Sequence, residues 1–241
     1  IYLLYMRLLI MFENAEAAIT YLLNISEEEF FRNFTFKDNA LEEYKKYLED
    51  FKRCNNDKNV STNEKGKSLE NLVLFVAEKT NLFTVIPNVK NASNEIDLLL
   101  CPKIQSRELL RKYILDGLDD LILECKNYNK KIDVTWVGKV YSLLKYQKCN
   151  IGIIFSYHGF TGKDWQAATG LAKKLYLSDG AMIIDFKLED FECLADNGNF
   201  ISVLKNKISN LKHDTKIEYN HHPIEVILSA NELEDFRKSI G

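Results

Sequence analysis

The stretch Asp119-Asp120-Leu121-Ile122-Leu123-Glu124-Cys125-Lys126-Asn127 decides how this chain is read. Its apolar run predicts a strand over Leu121–Lys126. Side chains alternate between the two faces of a strand, so Leu121, Leu123 and Cys125 point one way, into a core. Ile122, Glu124 and Lys126 point the other way. A carboxylate and an ammonium two residues apart therefore project into one place. Taken alone, a Glu-x-Lys pair is common, and on a solvated face it amounts to a weak ion pair.

An earlier segment repeats the arrangement. Glu95–Leu100 predicts a strand with Ile96, Leu98 and Leu100 on one face and Glu95, Asp97 and Leu99 on the other. Asp97 is an acid inside an apolar run, and such an acid is paired, edge-exposed or functional. If the two strands pair, Asp97 and Glu124 lie within reach of one cation. Mg²⁺ takes about six oxygen ligands at roughly 2.1 Å and keeps several waters. Two carboxylates, a strand carbonyl, waters and a substrate phosphate would satisfy it, with Mn²⁺ able to substitute. Such an ion would polarise a scissile phosphate and lower the pKa of a water. Lys126 would orient or deprotonate that water, or neutralise charge on the phosphorane.

Outward from this pair, residues 68–80 predict an amphipathic helix, with Leu69, Leu72, Val73, Val76 and Ala77 on the buried stripe. Glu70 lies beside that stripe and offers a further carboxylate or a water-mediated metal contact. A strand over Leu82–Ile86 follows, then a turn containing Pro87, Asn and Ser residues. Residues 104–118 read as a helical insertion between strands. Asp133 caps a helix over 134–147 whose stripe is Val137, Val140, Tyr141 and Leu144. Asn150–Phe155 is a buried strand, and the loop Ser156–Gly162 leads to a helix over 163–176 with Trp165, Ala168, Ala172 and Leu175 inward. Asp179-Gly180 turns into a last strand, Ala181–Phe186. The order α-β-β-β-α-β-α-β implies an α/β fold, a mixed sheet flanked by helices on both faces.

The segment resembles the PD-(D/E)xK nuclease superfamily, the fold of restriction endonucleases, and more narrowly its Mrr-like restriction enzymes. That resemblance implies a restriction-endonuclease-like sheet, a Mg²⁺ ion on Asp97 and Glu124, a hydrolytic role for Lys126, and Glu70 completing the site. It extends to Phe160-Thr161, Lys163-Asp-Trp-Gln-Ala-Ala168 and Leu177-Ser-Asp-Gly180, similar to the family's Phe-Thr … Ala … Leu-x-Asp-Gly ending. It covers roughly residues 64–186. The chain departs from the pattern in three places. Ile96 replaces the proline often found before the acid, the insertion between Asp97 and Glu124 is long, and Glu124-Cys125-Lys126 stands where many Mrr relatives have Gln-x-Lys.

The rest of the chain bounds the function. The net charge of −3 gives no global signal for nucleic acid, but the phosphate backbone responds to local charge. Residues 126–148 carry Lys126, Lys130, Lys131, Lys139, Lys145 and Lys148 against one acid, Asp133. Double-stranded DNA is the expected partner, with Lys130, Lys131 and Lys139 as phosphate contacts and Asn127 and Tyr128 nearby. Trp136 and Tyr141 read first as core residues and second as base-stacking rings. His158 lies on the loop after a buried strand, and His221-His222-Pro223 reads as a surface turn. The five cysteines, odd in number and without a CxxC spacing, read as reduced thiols in a cytoplasmic protein. The opening apolar run is too short to span a membrane and lacks a signal-peptide cleavage site. No nucleophile elbow or Walker-type loop is present.

Three segments result: a helical extension over 1–60, with Ser26-Glu-Glu-Glu29 as a helix start and 51–67 as a linker or loop; a nuclease core over 61–190; and a helical or irregular segment over 191–241. The leading expectation is a Mg²⁺-dependent DNA endonuclease of restriction or genome defence, with a homodimer among the assemblies it allows. The alternatives are a repair or Holliday-junction nuclease and an inactive, nuclease-like DNA-binding or assembly module.

Overall fold

The computed structural model describes residue 20 and residues 24–90, 95–162 and 167–227, with side chains to residue 213 in the last segment. The opening run, the hairpin tip at 91–94, and Trp165 with the start of its expected helix lie outside the described residues.

Among the described residues the chain-ordered elements open with helices α1 (Glu27–Arg32), α2 (Asp38–Asn56) and α3 (Thr62–Thr80). Ser26 caps α1 by accepting the Glu29 N–H, as the acidic first turn implied. The expected linker over 51–67 is corrected. Helix α2 runs to Asn56, and α3 begins at Thr62 behind a capping box in which Ser61 and Glu64 bond reciprocally. The Ser-x-x-Glu spacing carries that start; the polar composition of the stretch hid it.

Strands β1 (Phe83–Lys90), β2 (Glu95–Pro102), β3 (Leu121–Cys125), β4 (Ile151–Phe155) and β5 (Met182–Phe186) form one sheet in sequence order. The first three are antiparallel and the last three parallel. Strand β1 continues through Pro87 instead of ending before it. It is an edge strand, where a missing N–H can face solvent. Helices α5 (Val134–Gln147) and α6 (Ala168–Asp179) make the two crossovers between parallel strands. The insertion is a 3₁₀ turn, Ile104–Ser106, leading into the short helix α4 (Arg107–Tyr113).

Two apolar layers result. Leu98, Leu100, Leu121, Leu123, Cys125, Ile153, Phe155, Ile184 and Phe186 pack on α3, on α7 (Leu188–Ala195) and on α8 (Phe200–Ile227). Ile122, Ile154 and Ile183 pack on α5 and α6 from the other side. Helices on both faces explain why β3 and β4 are buried at every position. The N-terminal helices join the first layer. Phe51 meets Phe191, the Tyr44 hydroxyl donates to the Phe191 carbonyl at 2.7 Å, and the Tyr113 ring of the insertion stacks on Phe30.

Three expectations change. Ile96 packs in the layer of Ile122 beneath α5 and not with Leu98 and Leu100, although burial still alternates along β2. In α5, Leu143 takes the buried place expected of Tyr141, whose hydroxyl instead donates to Asp179 at the end of α6. His221, His222 and Pro223 lie within α8 rather than in a turn. All five cysteines are free, as their spacing implied.

Candidate active site

The site forms where β2 and β3 part. Their ladder pairs Leu100 with Leu121, Leu99 with Ile122 and Leu98 with Leu123, and the next pair would be Asp97 with Glu124. There the backbones separate, and the Asp97 carboxylate accepts the Cys125 N–H at 2.6 Å. Lys126 keeps its backbone on the sheet by donating to the Phe155 carbonyl of β4. Its side chain is thereby aimed at the opening between the two strands.

The Lys126 ammonium has three donors, and all three find acceptors. They are Asp97 Oδ2 at 3.2 Å, Glu124 Oε1 at 2.9 Å and the Cys125 carbonyl at 2.8 Å. Burial opposes its charge, but Glu124 and then Asp97 outweigh that and hold its pKa above the ordinary lysine value. Two acids from different strands thus converge on one nitrogen.

Glu124 is fully buried. Its Oε1 also accepts from Lys139 of α5 at 2.7 Å, while its Oε2 has no hydrogen-bond partner among the described residues. The indole of Trp136 lies under both ammoniums, 4.9 Å from Lys126 Nζ and 5.0 Å from Lys139 Nζ. Trp136 is half-buried, its ring tilted against the exposed Tyr128. It is neither a pure core residue nor a free stacking ring.

Glu70 is exposed on α3 and makes no hydrogen bond among the described residues. Burial first, then the Asp97 charge, push its carboxyl above the ordinary value, while Lys126 pulls it down. It therefore shares the field of the acid pair from the helix side. Among the described residues no three Asp, Glu, His or Cys side chains are gathered tightly enough to hold a metal ion by themselves.

The other expected residues divide. Lys139 reaches the site, as described. Lys130 is exposed and paired with Asp133 at 3.5 Å, and Lys131 is exposed beside it. Asn127 ties the loop after β3 to α3 by donating to the Lys65 carbonyl at 2.6 Å. His158 is exposed, its ring against Tyr157.

The family model for the Mrr catalytic domain, described as a restriction endonuclease, matches residues 63–186. The chain belongs to this Mrr-type restriction endonuclease family. The matched span opens one residue into α3, closes on the last residue of β5, and contains Glu70, Asp97, Glu124 and Lys126. Neither the curated proteins nor the solved structures gave a match. The domain is thus of restriction-endonuclease type, and no helix among the described residues is long and apolar enough to cross a membrane.

Lys65 is the residue the sequence reading passed over. It sits in the first turn of α3, inside the stretch expected to be a linker, and is only 6% exposed.

Proposed function

We propose that this Mrr-type domain is a Mg²⁺-dependent endonuclease that hydrolyses phosphodiester bonds of double-stranded DNA, serving restriction or genome defence in the cytoplasm. What carries the reading is the meeting of Asp97 and Glu124 on Lys126 Nζ, beside a buried Glu124 Oε2 that no described residue bonds. A bare carboxylate oxygen in a buried site is the donor a hard cation needs. Mg²⁺ is commonly held by one or two carboxylates together with waters and substrate phosphate, so this donor set fits. Asp97 and Glu124 would hold the ion, with Glu70 contributing through water from α3. When bound, such an ion supplies positive charge at the scissile phosphate and acidifies water beside it.

The chain's own groups do the rest. Lys126, surrounded by carboxylates, keeps its proton and acts as a charged donor that orients the attacking water and neutralises charge on the phosphorane. Lys139, 38% exposed at its side chain, can leave Glu124 for a substrate phosphate. Lys130 and Lys131 extend the positive surface along the duplex.

The test is plasmid cleavage with Mg²⁺ or Mn²⁺, comparing wild type with Lys126→Ala and Asp97→Ala. The expected result is nicking or linearisation by the wild type alone. A gel shift without cleavage in any protein or metal would turn the reading to a DNA-binding or assembly module. Preference for four-way over linear duplex substrates would turn it to junction cleavage.

A further inference from the structure

We propose that Lys65 is a phosphate-binding residue that seats a DNA backbone phosphate flanking the cut; this deepens the nuclease reading and rests on it. Lys65 is 6% exposed, and its ammonium has one partner among the described residues, the Asn129 side-chain oxygen at 3.3 Å. Charge-assisted bonds are normally about 2.7–2.9 Å. Among the described residues no second protein acceptor and no carboxylate pairs with it. The neighbouring acid, Glu64, is turned away into the capping box, where it accepts from the Ser61 N–H and hydroxyl. A buried ammonium without a counter-charge is costly, and an oxyanion relieves that cost.

The location says which oxyanion. Asn129 is exposed on the loop that follows β3, so the Lys65 ammonium of α3 lies just beneath the surface there. Asn127 clamps that loop to the Lys65 backbone, so Lys65 and the acid site are held as one unit. Exposed Lys130 and Lys131 follow on the same loop. A polyanion lying along the acid pair would carry a flanking phosphate towards this loop.

Three proteins test this: wild type, Lys65→Gln, which keeps a donor for Asn129 but loses the charge, and Lys65→Arg, which keeps the charge. Duplex binding is followed by fluorescence anisotropy in chelator across a range of salt. Each phosphate contact adds about 0.9 to the slope of log K against log salt. The slope is expected to fall by about 0.9 in Lys65→Gln and to be restored in Lys65→Arg. An unchanged slope in Lys65→Gln overturns the proposal and leaves the nuclease reading standing. In parallel, Tm is measured with and without inorganic phosphate. Wild type is expected to be stabilised and Lys65→Gln not. Asn129→Asp, which sets a carboxylate against the ammonium, should raise Tm and remove the phosphate effect without altering Lys65. Equal phosphate shifts in all these proteins overturn the anion site. If the wild type neither binds nor cuts duplex with Mg²⁺ or Mn²⁺ present while its phosphate shift depends on Lys65, the anion site stands and the nuclease reading falls.

Discussion

Asp97 accepts the backbone N–H of Cys125 at 2.6 Å where a strand carbonyl would otherwise sit. One carboxylate therefore ends the ladder between β2 and β3 and also supplies an acid of the site. Its other contact, Lys126 Nζ at 3.2 Å, comes through the same oxygen, Oδ2.

The two roles separate by substitution. Asp97→Asn keeps an acceptor for Cys125 but loses the charge. It should unfold within about 1 kcal/mol of the wild type and lose cleavage by at least about a hundredfold. Asp97→Ala leaves the N–H unmet and should cost about 1–3 kcal/mol as well. Urea unfolding and plasmid nicking on the same samples decide this. Cleavage surviving in Asp97→Asn removes Asp97 from the chemistry.

Glu124 carries two ammoniums on one oxygen and, among the described residues, no hydrogen-bond partner on the other. Glu124→Gln leaves Lys126 with Asp97 as its carboxylate partner and should destabilise the fold, by less than the roughly 3 kcal/mol of a fully broken buried pair. Metal binding is the sharper readout. Mn²⁺ at about a hundred times its Kd should stabilise the wild type by about 2.7 kcal/mol and leave Glu124→Gln unmoved. Equal Tm shifts in the two proteins would place the ion elsewhere.

Much of this was legible because it is local. Alternation put Leu121, Leu123 and Cys125 on one layer and Ile122 on the other, and Asp133 caps α5 where its position implied. What was not legible depends on tertiary contact. Ile96 packs in the other layer just past the point where β2 and β3 stop pairing, an event no local period encodes. Lys139 meets Glu124 only because α5 crosses back over β3, so a residue expected on DNA lies inside the site. Lys65 was hidden by polar neighbours that form the solvated first turn of α3. Pro87 stays in a strand because that strand is the sheet edge.

Gly152 sets how closely α5 approaches β4. A methyl group there would lie 2.5 Å from Val140 Cγ1 and 3.5 Å from Leu144 Cδ1. Gly152→Ala should therefore destabilise by about 1–3 kcal/mol through overpacking. Shortening the obstacle should relieve it, so Gly152→Ala with Val140→Ala should cost less than the two changes summed. Simple additivity in urea unfolding would mean the helix moves away freely, and the strain argument fails.

Tyr44 tests whether the N-terminal helices belong to the same cooperative unit as the sheet. Its ring is fully buried, and its hydroxyl donates to Phe191 of α7. Burial, then the nearby Cys193 and Glu192, push the phenol well above its ordinary 10.0. As pH rises past that ordinary value the unfolded chain ionises first, so this contribution is whole below about pH 10 and lost above it. Tyr44→Phe should cost about 1 kcal/mol near neutral pH, from the missing hydrogen bond. The variant lacks the alkaline loss, so its deficit should shrink towards zero between about pH 8 and about pH 11. Global urea unfolding at the two pH values measures it. A deficit that stays constant would mean α2 opens from the sheet before the rest of the molecule unfolds.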